Sequence, residues 1–314
     1  MRVALDDVKQ AAIRIAPSVR RTPLVEARCT TAQPYPGGRL LLKLECLQVT
    51  GSFKARGAIN KLLSLTPEEV RRGIVTASGG NHGLAVAYAG WLGKTTATIF
   101  LPENASAEKV KKLEQWGARV RIHGRQWHEA NGEALRAAER EGLTYIHPFA
   151  DPLIIAGQGT AALEILDQAP GVDEILVAIG GGGLISGVAL TAKSLHPSIR
   201  VVGVEPTGAA TLYESRKAGR VVALPAITTR VPTLAAQATE PINFALVQRF
   251  VDDLVLIGDD AMATAARWLW FEMGIAADLS GAAALAALMS RAVTPAPGRT
   301  VCALVTGAGP EGIV

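Results

Sequence analysis

The chain is predicted to be an α/β protein built on open parallel sheets, and two observations carry that prediction. Strand-like apolar runs alternate with segments of helical periodicity along the whole sequence, and the crossovers this demands cover both faces of a parallel sheet. Three of those runs end directly in loops rich in glycine and small polar residues, at the strand ends where open α/β sheets hold ligands. The runs are 39–46, 74–77, 97–101, 119–122, 174–179, 200–204, 253–257 and 300–305. A length of 314 residues suffices for one large domain of this class or two smaller ones.

Taken in order, the first chemical signal follows the run 39–46. Gly51-Ser52-Phe53-Lys54-Ala55-Arg56-Gly57-Ala58 sets a lysine beside Phe53 at the start of an apolar helix that continues through Ile59, Leu62 and Leu63. A lysine at a helix start is ordinarily solvated, but these neighbours can desolvate it, disfavour the ammonium and expose a nucleophilic amine suited to a Schiff base. Thr66-Pro67-Glu68-Glu69 then reads as a second helix start.

The run 74–77 leads into Ser78-Gly79-Gly80-Asn81-His82-Gly83 and a helical stretch ending at Leu92. Strand, tight loop and helix N-terminus in succession expose backbone N–H groups that bind an anion, and a substrate carboxylate fits. Helix capping by Ser78 or Asn81 is the competing reading. His82 is expected to contribute main chain rather than ring, because none of the histidines shows ligand spacing.

His147-Pro148-Phe149-Ala150-Asp151-Pro152 is rich in turn residues and reads as a crossing between two structural units. After the run 174–179 come Gly180, Gly181, Gly182 and Gly183, then Leu184. Four consecutive glycines are costly in backbone entropy and imply unusual dihedrals or close approach to a ligand; a phosphate satisfies both. No lysine follows, which excludes a P-loop, and the acidic partner of a dinucleotide fingerprint is missing. The last strand, 300–305, ends at Thr306, which puts a hydroxyl at a carboxyl edge.

Composition narrows the class. The chain is 49% hydrophobic and 19% charged, as in globular proteins, with no apolar stretch long enough to span a membrane and no apolar signal-peptide core at Met1 to Asp7. A cytoplasmic location is expected. The net charge of +4 is dispersed, with Arg71, Arg72, Lys109, Lys111 and Lys112 interleaved with acids as on solvated helix faces, so nucleic acid is not an expected partner. Cys29, Cys46 and Cys302 lack metal-ligand spacing and read as reduced thiols.

In this order the motifs resemble the fold type II pyridoxal-phosphate enzymes, in the serine/threonine dehydratase and serine racemase branch. The likeness also takes in Arg21-Thr22-Pro23-Leu24, Leu42-Lys43-Leu44-Glu45, Ile155-Ala156-Gly157-Gln158-Gly159-Thr160 and Gly203-Val204-Glu205-Pro206. It is poorest around 227–244, where relatives usually carry Thr-[Ile/Leu]-Ala-Asp-Gly and this chain reads Thr233-Leu234-Ala235-Ala236-Gln237. The resemblance implies the two-domain, tryptophan synthase β-like architecture: a large domain from 1–64 and 148–314, a small one from 65–147, the cofactor in the cleft between them, and no C-terminal regulatory domain. A homodimer is expected.

Carried over residue by residue, the resemblance implies that Lys54 holds pyridoxal 5'-phosphate beside Phe53. Asn81 then bonds its phenolic oxygen, Gly180 to Gly183 with Leu184 cradle its phosphate, and Thr306 faces its pyridine nitrogen. The substrate carboxylate would settle on Ser78, Gly79, Gly80, Asn81 and His82. A neutral hydroxyl at Thr306 does not hold a proton on the ring nitrogen, which weakens the electron sink and favours prompt loss of a β leaving group over transamination. The expected activity is conversion of L-threonine or L-serine to a 2-oxo acid and ammonia. Alternatives are an amino-acid racemase, a dehydratase of a modified β-hydroxy amino acid, a threonine-synthase-like β-replacement enzyme, or a non-catalytic amino-acid sensor. Racemase relatives carry a serine where this chain has Gly79, and a divalent-cation site of theirs would here keep Glu205 and the carbonyl of Ala209 but meet Thr211 in place of an acid; no metal is expected.

Overall fold

The computed structural model describes residues 3–28 and 33–313, so Cys29 lies outside the described residues. The first half of the chain forms α1 (Leu5–Ile15), β1 (Leu24–Glu26), β2 (Arg39–Leu44), α2 (Lys54–Leu62), α3 (Pro67–Arg72), β3 (Ile74–Ala77), α4 (Asn81–Leu92), β4 (Ala97–Leu101), α5 (Ala107–Gln115), β5 (Arg119–Ile122), α6 (Trp127–Glu141) and β6 (Thr144–Tyr145). The second half forms α7 (Pro152–Gln168), β7 (Glu174–Ala178), α8 (Gly183–Leu195), β8 (Arg200–Pro206), α9 (Thr211–Ala218), α10 (Pro241–Phe250), β9 (Asp253–Ile257), α11 (Asp259–Met273), α12 (Leu279–Met289) and β10 (Thr300–Val305).

Two sheets result. One has six strands in the order β1-β2-β10-β7-β8-β9, the other four in the order β5-β4-β3-β6. All pairings are parallel except β1 with β2, an antiparallel edge that the expectation of purely parallel sheets did not include. β1 is three half-buried residues long and owes its existence to pairing with the buried β2 rather than to its own pattern.

Alternation along β10 shows how the large sheet is covered. Val301, Ala303 and Val305 join a core built with α11 and α12, while Cys302 and Leu304 point the other way into a core with α7 and α8. Because both faces are covered, the strand reads as an unbroken apolar run. The small residues Gly281 to Ala284, Ala286 and Ala287 on α12 let that helix lie close against the sheet. The small sheet repeats the plan, with Ile74, Ile99 and Leu101 facing α4, and Val75, Ala77 and Phe100 facing α6.

The two sheets are not cored separately. Ala58 and Leu62 of α2, with Ile154 of α7, pack into the core of the small sheet, while Ala55 and Ile59 of α2 pack against Ile15 of α1. The chain leaves β7 through α8 on one face and reaches β10 from α12 on the other. The crevice at the carboxyl ends of β7 and β10 is therefore a switch point, the usual place for a ligand in an open α/β sheet.

Candidate active site

Lys54 opens α2, and the backbone before it is held from several sides. Thr50 (φ 64°) and Gly51 (φ 81°) both adopt left-handed conformations. Ser52 is fully buried and bridges to Gly307, and the Phe53 N–H donates to the Thr306 carbonyl at 3.3 Å. Two residues further on, the fully buried Arg56 is clamped by Glu45 (2.7 Å) and Glu164 (2.7 Å). Lys54 is thus delivered from a short, tightly anchored turn.

Its Nζ donates to the carbonyl of Pro148 at 2.6 Å and lies 5.3 Å from the Phe53 ring centroid, and among the described residues it forms no salt bridge. A backbone dipole and an aromatic face do not compensate an ammonium as a carboxylate would, and burial lowers the Lys54 pKa to about 8. The amine is therefore poised to be a nucleophile and base near neutral pH.

Pro148 leads into Phe149, whose ring lies where a Cβ at Gly181 would be and whose carbonyl would sit 2.7 Å from a Cβ at Gly183. Gly182, the residue before α8, has φ 100°. Unusual dihedrals or ligand approach are the expected reasons for these glycines; Gly182 supplies the unusual dihedral, and close packing against Phe149 is a further reason, supplied by the protein itself. The loop is tied further by Thr239, whose hydroxyl donates to the Gly181 carbonyl at 2.9 Å, and by Asn243, whose amide donates to the Phe149 carbonyl at 3.1 Å. Leu184 is buried in the core under the loop.

The loop after β3 also closes on this crevice. Gly80 is the N-cap of α4 with no side-chain cap, so capping by Ser78 or Asn81 is not what these residues do; Ser78 instead accepts a bond from the Gly80 N–H at 3.3 Å. The Asn81 amide donates to Asp278 at 3.0 Å, directly beside Gly307. Thr306 donates its hydroxyl to the Ser280 carbonyl at 3.2 Å. Thr233 reaches this loop as well, its methyl 3.8 Å from where a Cβ of Gly80 would lie and its carbonyl 3.1 Å from that of Gly180.

The His82 ring, as opposed to its main chain, is built into the core: Nε2 meets the Thr76 hydroxyl (3.1 Å) and the Ile146 carbonyl (3.0 Å). Burial, with the nearby Lys54 charge, lowers its pKa to about 3, and that of His147 to about 4. Both rings are neutral near pH 7. His147 accepts at Nδ1 from the N–H groups of Phe149 and Ala150, which shapes the turn that carries Pro148.

Glu205, on β8, is held by the start of α9. Its carboxylate accepts from the N–H groups of Leu212 (2.8 Å) and Tyr213 (2.7 Å) at the start of α9, and burial raises its pKa to about 7. Thr211, where the cation site of racemase relatives would have an acid, donates its hydroxyl to the Ala236 carbonyl at 2.5 Å.

Sequence reasoning did not pick out Asp278, or Phe149 as a packing element, and it noted Thr233 only within the segment where the resemblance is poorest. Asp278 did carry a local signal, an acid directly before a long small-residue helix, and it is indeed the N-cap of α12. Its pairing with Asn81 has no local signal, since the two are 197 residues apart.

Known proteins resemble the chain over nearly its whole length. The profile of the pyridoxal-phosphate dependent enzymes matches residues 15–307. An L-threonine ammonia-lyase of Geobacter sulfurreducens is 38% identical over 300 residues, covering 96% of this chain and 74% of that protein. A serine racemase of Oryza sativa is 38% identical over 286 residues, covering 91% of this chain and 84% of that protein. Among solved structures, maize serine racemase superposes with a TM-score of 0.93 at 36% identity, covering 98% of this chain and 94% of that one. The fold is the fold type II architecture, and the chain belongs to the pyridoxal-phosphate dependent enzyme family.

Proposed function

We propose that this enzyme is a threonine/serine ammonia-lyase, which removes the β-hydroxyl and the amino group of L-threonine or L-serine to give a 2-oxo acid and ammonia. The observation that carries the reading is Lys54: a partly buried amine whose pKa is depressed by desolvation, with a backbone carbonyl as its hydrogen-bond acceptor, at the mouth of a glycine loop. The likeness to L-threonine ammonia-lyase supports the choice of reaction.

The residues present fit the cofactor. Lys54 would hold its aldehyde carbon, Gly180 to Gly183 with the first turn of α8 its phosphate, Asn81 its phenolic oxygen and Thr306 its ring nitrogen, with Phe53 close by. The buried hydroxyl of Ser52 and the buried amide oxygen of Asn243, neither with a protein partner among the described residues, mark this region as polar beyond its own needs. When bound, the cofactor supplies electron withdrawal from the substrate's α-carbon.

The chain's own groups do the rest. The N-terminus of α4, with Ser78 to His82, binds the substrate carboxylate through backbone N–H groups. Lys54 Nζ, neutral in a substantial fraction near its pKa of about 8, takes the proton from the α-carbon. The neutral rings of His82 and His147 add no charge that would compete with that transfer. The domain division at 64/65 and 147/148 belongs to the same proposal, as do a cytoplasmic location and a homodimer. Among the described residues no helix is long and apolar enough to cross a membrane. Ile13 (70% exposed) and Trp91 (64% exposed) are apolar surface that a second copy could cover; sedimentation of the holoenzyme checks the dimer.

The likeness to serine racemases keeps a second reading in view. Racemisation needs a proton donor on the face opposite Lys54, and Gly79 supplies no side chain for it; a Cβ there would lie 3.3 Å from Leu101. The test is 2-oxo acid release from serine and threonine, with chiral analysis of the remaining amino acid. Release without D-serine, lost on the order of 10³-fold in Lys54→Ala, is expected. Abundant D-serine from the wild type overturns the lyase reading in favour of a racemase. Gly79→Ser is expected to raise racemisation relative to elimination.

A further inference from the structure

We propose that Asp278 is a positioning residue for the cofactor: it fixes the orientation of the Asn81 amide from across the crevice, so that an N–H rather than the carbonyl of Asn81 faces the cofactor's phenolic oxygen. The proposal deepens the proposed function and rests on its assignment of Asn81.

The chemistry of the pair determines the orientation. A carboxylate only accepts hydrogen bonds, so the group Asn81 turns to Asp278 must be its NH₂. The bond is 3.0 Å long, from Asn81 Nδ2 to Asp278 Oδ2. An amide nitrogen has two hydrogens, and with one committed to Asp278 the second remains to be given to an anionic oxygen. Without a pure acceptor behind it, an asparagine can present either end, and its carbonyl would repel a phenolate.

Asp278 is itself immobile. It is only 8% exposed, its Oδ1 accepts from the Ser280 hydroxyl (2.6 Å) and the Gly281 N–H (2.5 Å), and its own N–H donates to the Gly307 carbonyl at 3.0 Å. The backbone makes room for the contact: a Cβ at Gly307 would lie 2.5 Å from Asp278 Oδ2 and 2.8 Å from Asn81 Nδ2. Gly307 directly follows Thr306, so the pair passes beside the residue proposed to meet the ring nitrogen. Asn81 opens a helix of the small sheet and Asp278 caps a helix of the large one, so the bond also ties the two sides of the crevice together.

The experiment uses Asn81→Ala, Asp278→Ser, the double variant and Asp278→Asn. Serine and asparagine both remain good N-caps for α12, but serine is too short to reach Asn81 and asparagine no longer dictates which end of the Asn81 amide it meets. Two readouts independent of turnover are taken on folded protein: the dissociation constant for pyridoxal phosphate, and the wavelength and pH titration of the visible band of the bound cofactor. Asn81→Ala and Asp278→Ser are expected each to weaken cofactor binding on the order of tenfold and to shift the band in the same direction, with the double variant no worse than Asn81→Ala. Asp278→Asn should shift the band the same way by less. An Asp278→Ser protein with wild-type band and affinity, while Asn81→Ala alters both, overturns the proposal, and so do losses that multiply in the double variant. If Asn81→Ala alone changes neither readout, the assignment of Asn81 fails, and the proposal fails with it.

Discussion

Lys54, His82 and His147 share one buried neighbourhood, and burial acts on all three in the same direction by disfavouring their charged forms. For Lys54 the consequence is chemical: capture of pyridoxal phosphate by cofactor-free protein should accelerate with pH about a midpoint near 8, not near the 10.5 of a free lysine, and stopped-flow absorbance reads it. For the histidines it is a matter of stability. A base whose pKa is depressed on folding contributes stability that is complete above its unfolded value of 6.5 and is lost as pH falls toward the folded values of about 3 and 4. His147→Asn keeps an oxygen to accept from Phe149 and Ala150 but cannot be protonated. It should therefore remove part of the loss of melting temperature on acidification from about pH 6.5 to 4, a share on the order of 3 kcal/mol. An acid limb identical to wild type would show that His147 does not remain neutral in the folded state. Lys54 was legible in sequence because everything that desolvates it nearby, Phe53 and the apolar face of α2, is written beside it. The histidine environments were not, because Ile146 and Thr76 reach His82 only once the strands pair.

At the scale of the element, sequence periodicity located β3, β4, β5, β9 and β10 to the residue, since each is a short run bounded by polar or small residues, largely apolar except for the alternating Arg119-Val120-Arg121-Ile122 of β5. It carried the run at 39–46 two residues too far, because Glu45 and Cys46 turn into a short 3-10 helix that buries the Glu45 carboxylate against Arg56. It passed over β6, two half-buried residues that become a strand only by pairing with β3. The glycine loop after β7 was legible as a loop, but its reason was only half visible, because Phe149 comes from a segment some thirty residues earlier. That contact has a measurable consequence. Gly181→Ala places a methyl in the Phe149 ring, which cannot retreat without moving Pro148, the acceptor of Lys54. The variant should lose about 1–3 kcal/mol of stability in the cofactor-free state, by overpacking, and also bind pyridoxal phosphate more weakly. A cofactor-free melting temperature equal to wild type would mean that the loop answers to the ligand alone.

The whole molecule is joined at a buried ionic cluster directly under the site. Arg56 of α2 bonds Glu45 after β2 and Glu164 of α7, and the fully buried Lys43 of β2 bonds Glu164 (2.6 Å) and Gln168 (2.8 Å). Two neighbouring elements, β2 and α2, meet there with α7 from more than a hundred residues later, two residues from Lys54. The sequence presented Arg56 and Glu45 as parts of separate motifs, and nothing in their spacing showed that they are partners. A buried ion pair is a poor source of net stability, but removing one member leaves a charge in a medium that solvates it badly. Arg56→Met should therefore cost on the order of 3–5 kcal/mol at neutral pH, chiefly because Glu45, fully buried, loses the cation that holds its pKa below the usual carboxylate value. The sign of the pH effect separates this cause from simple loss of packing. In the wild type a depressed carboxylate contributes stability that is present above its ordinary value of 4.5 and is lost as pH falls through the lowered one. In Arg56→Met the same carboxylate is penalised for being charged, so protonation relieves the variant while it weakens the wild type. The difference in melting temperature between the two proteins should accordingly narrow from about pH 7 to 4. A deficit that stays constant with pH would assign the loss to the packing volume of the missing guanidinium rather than to its charge, and the charge cluster would then have no energetic part in holding α2 in place.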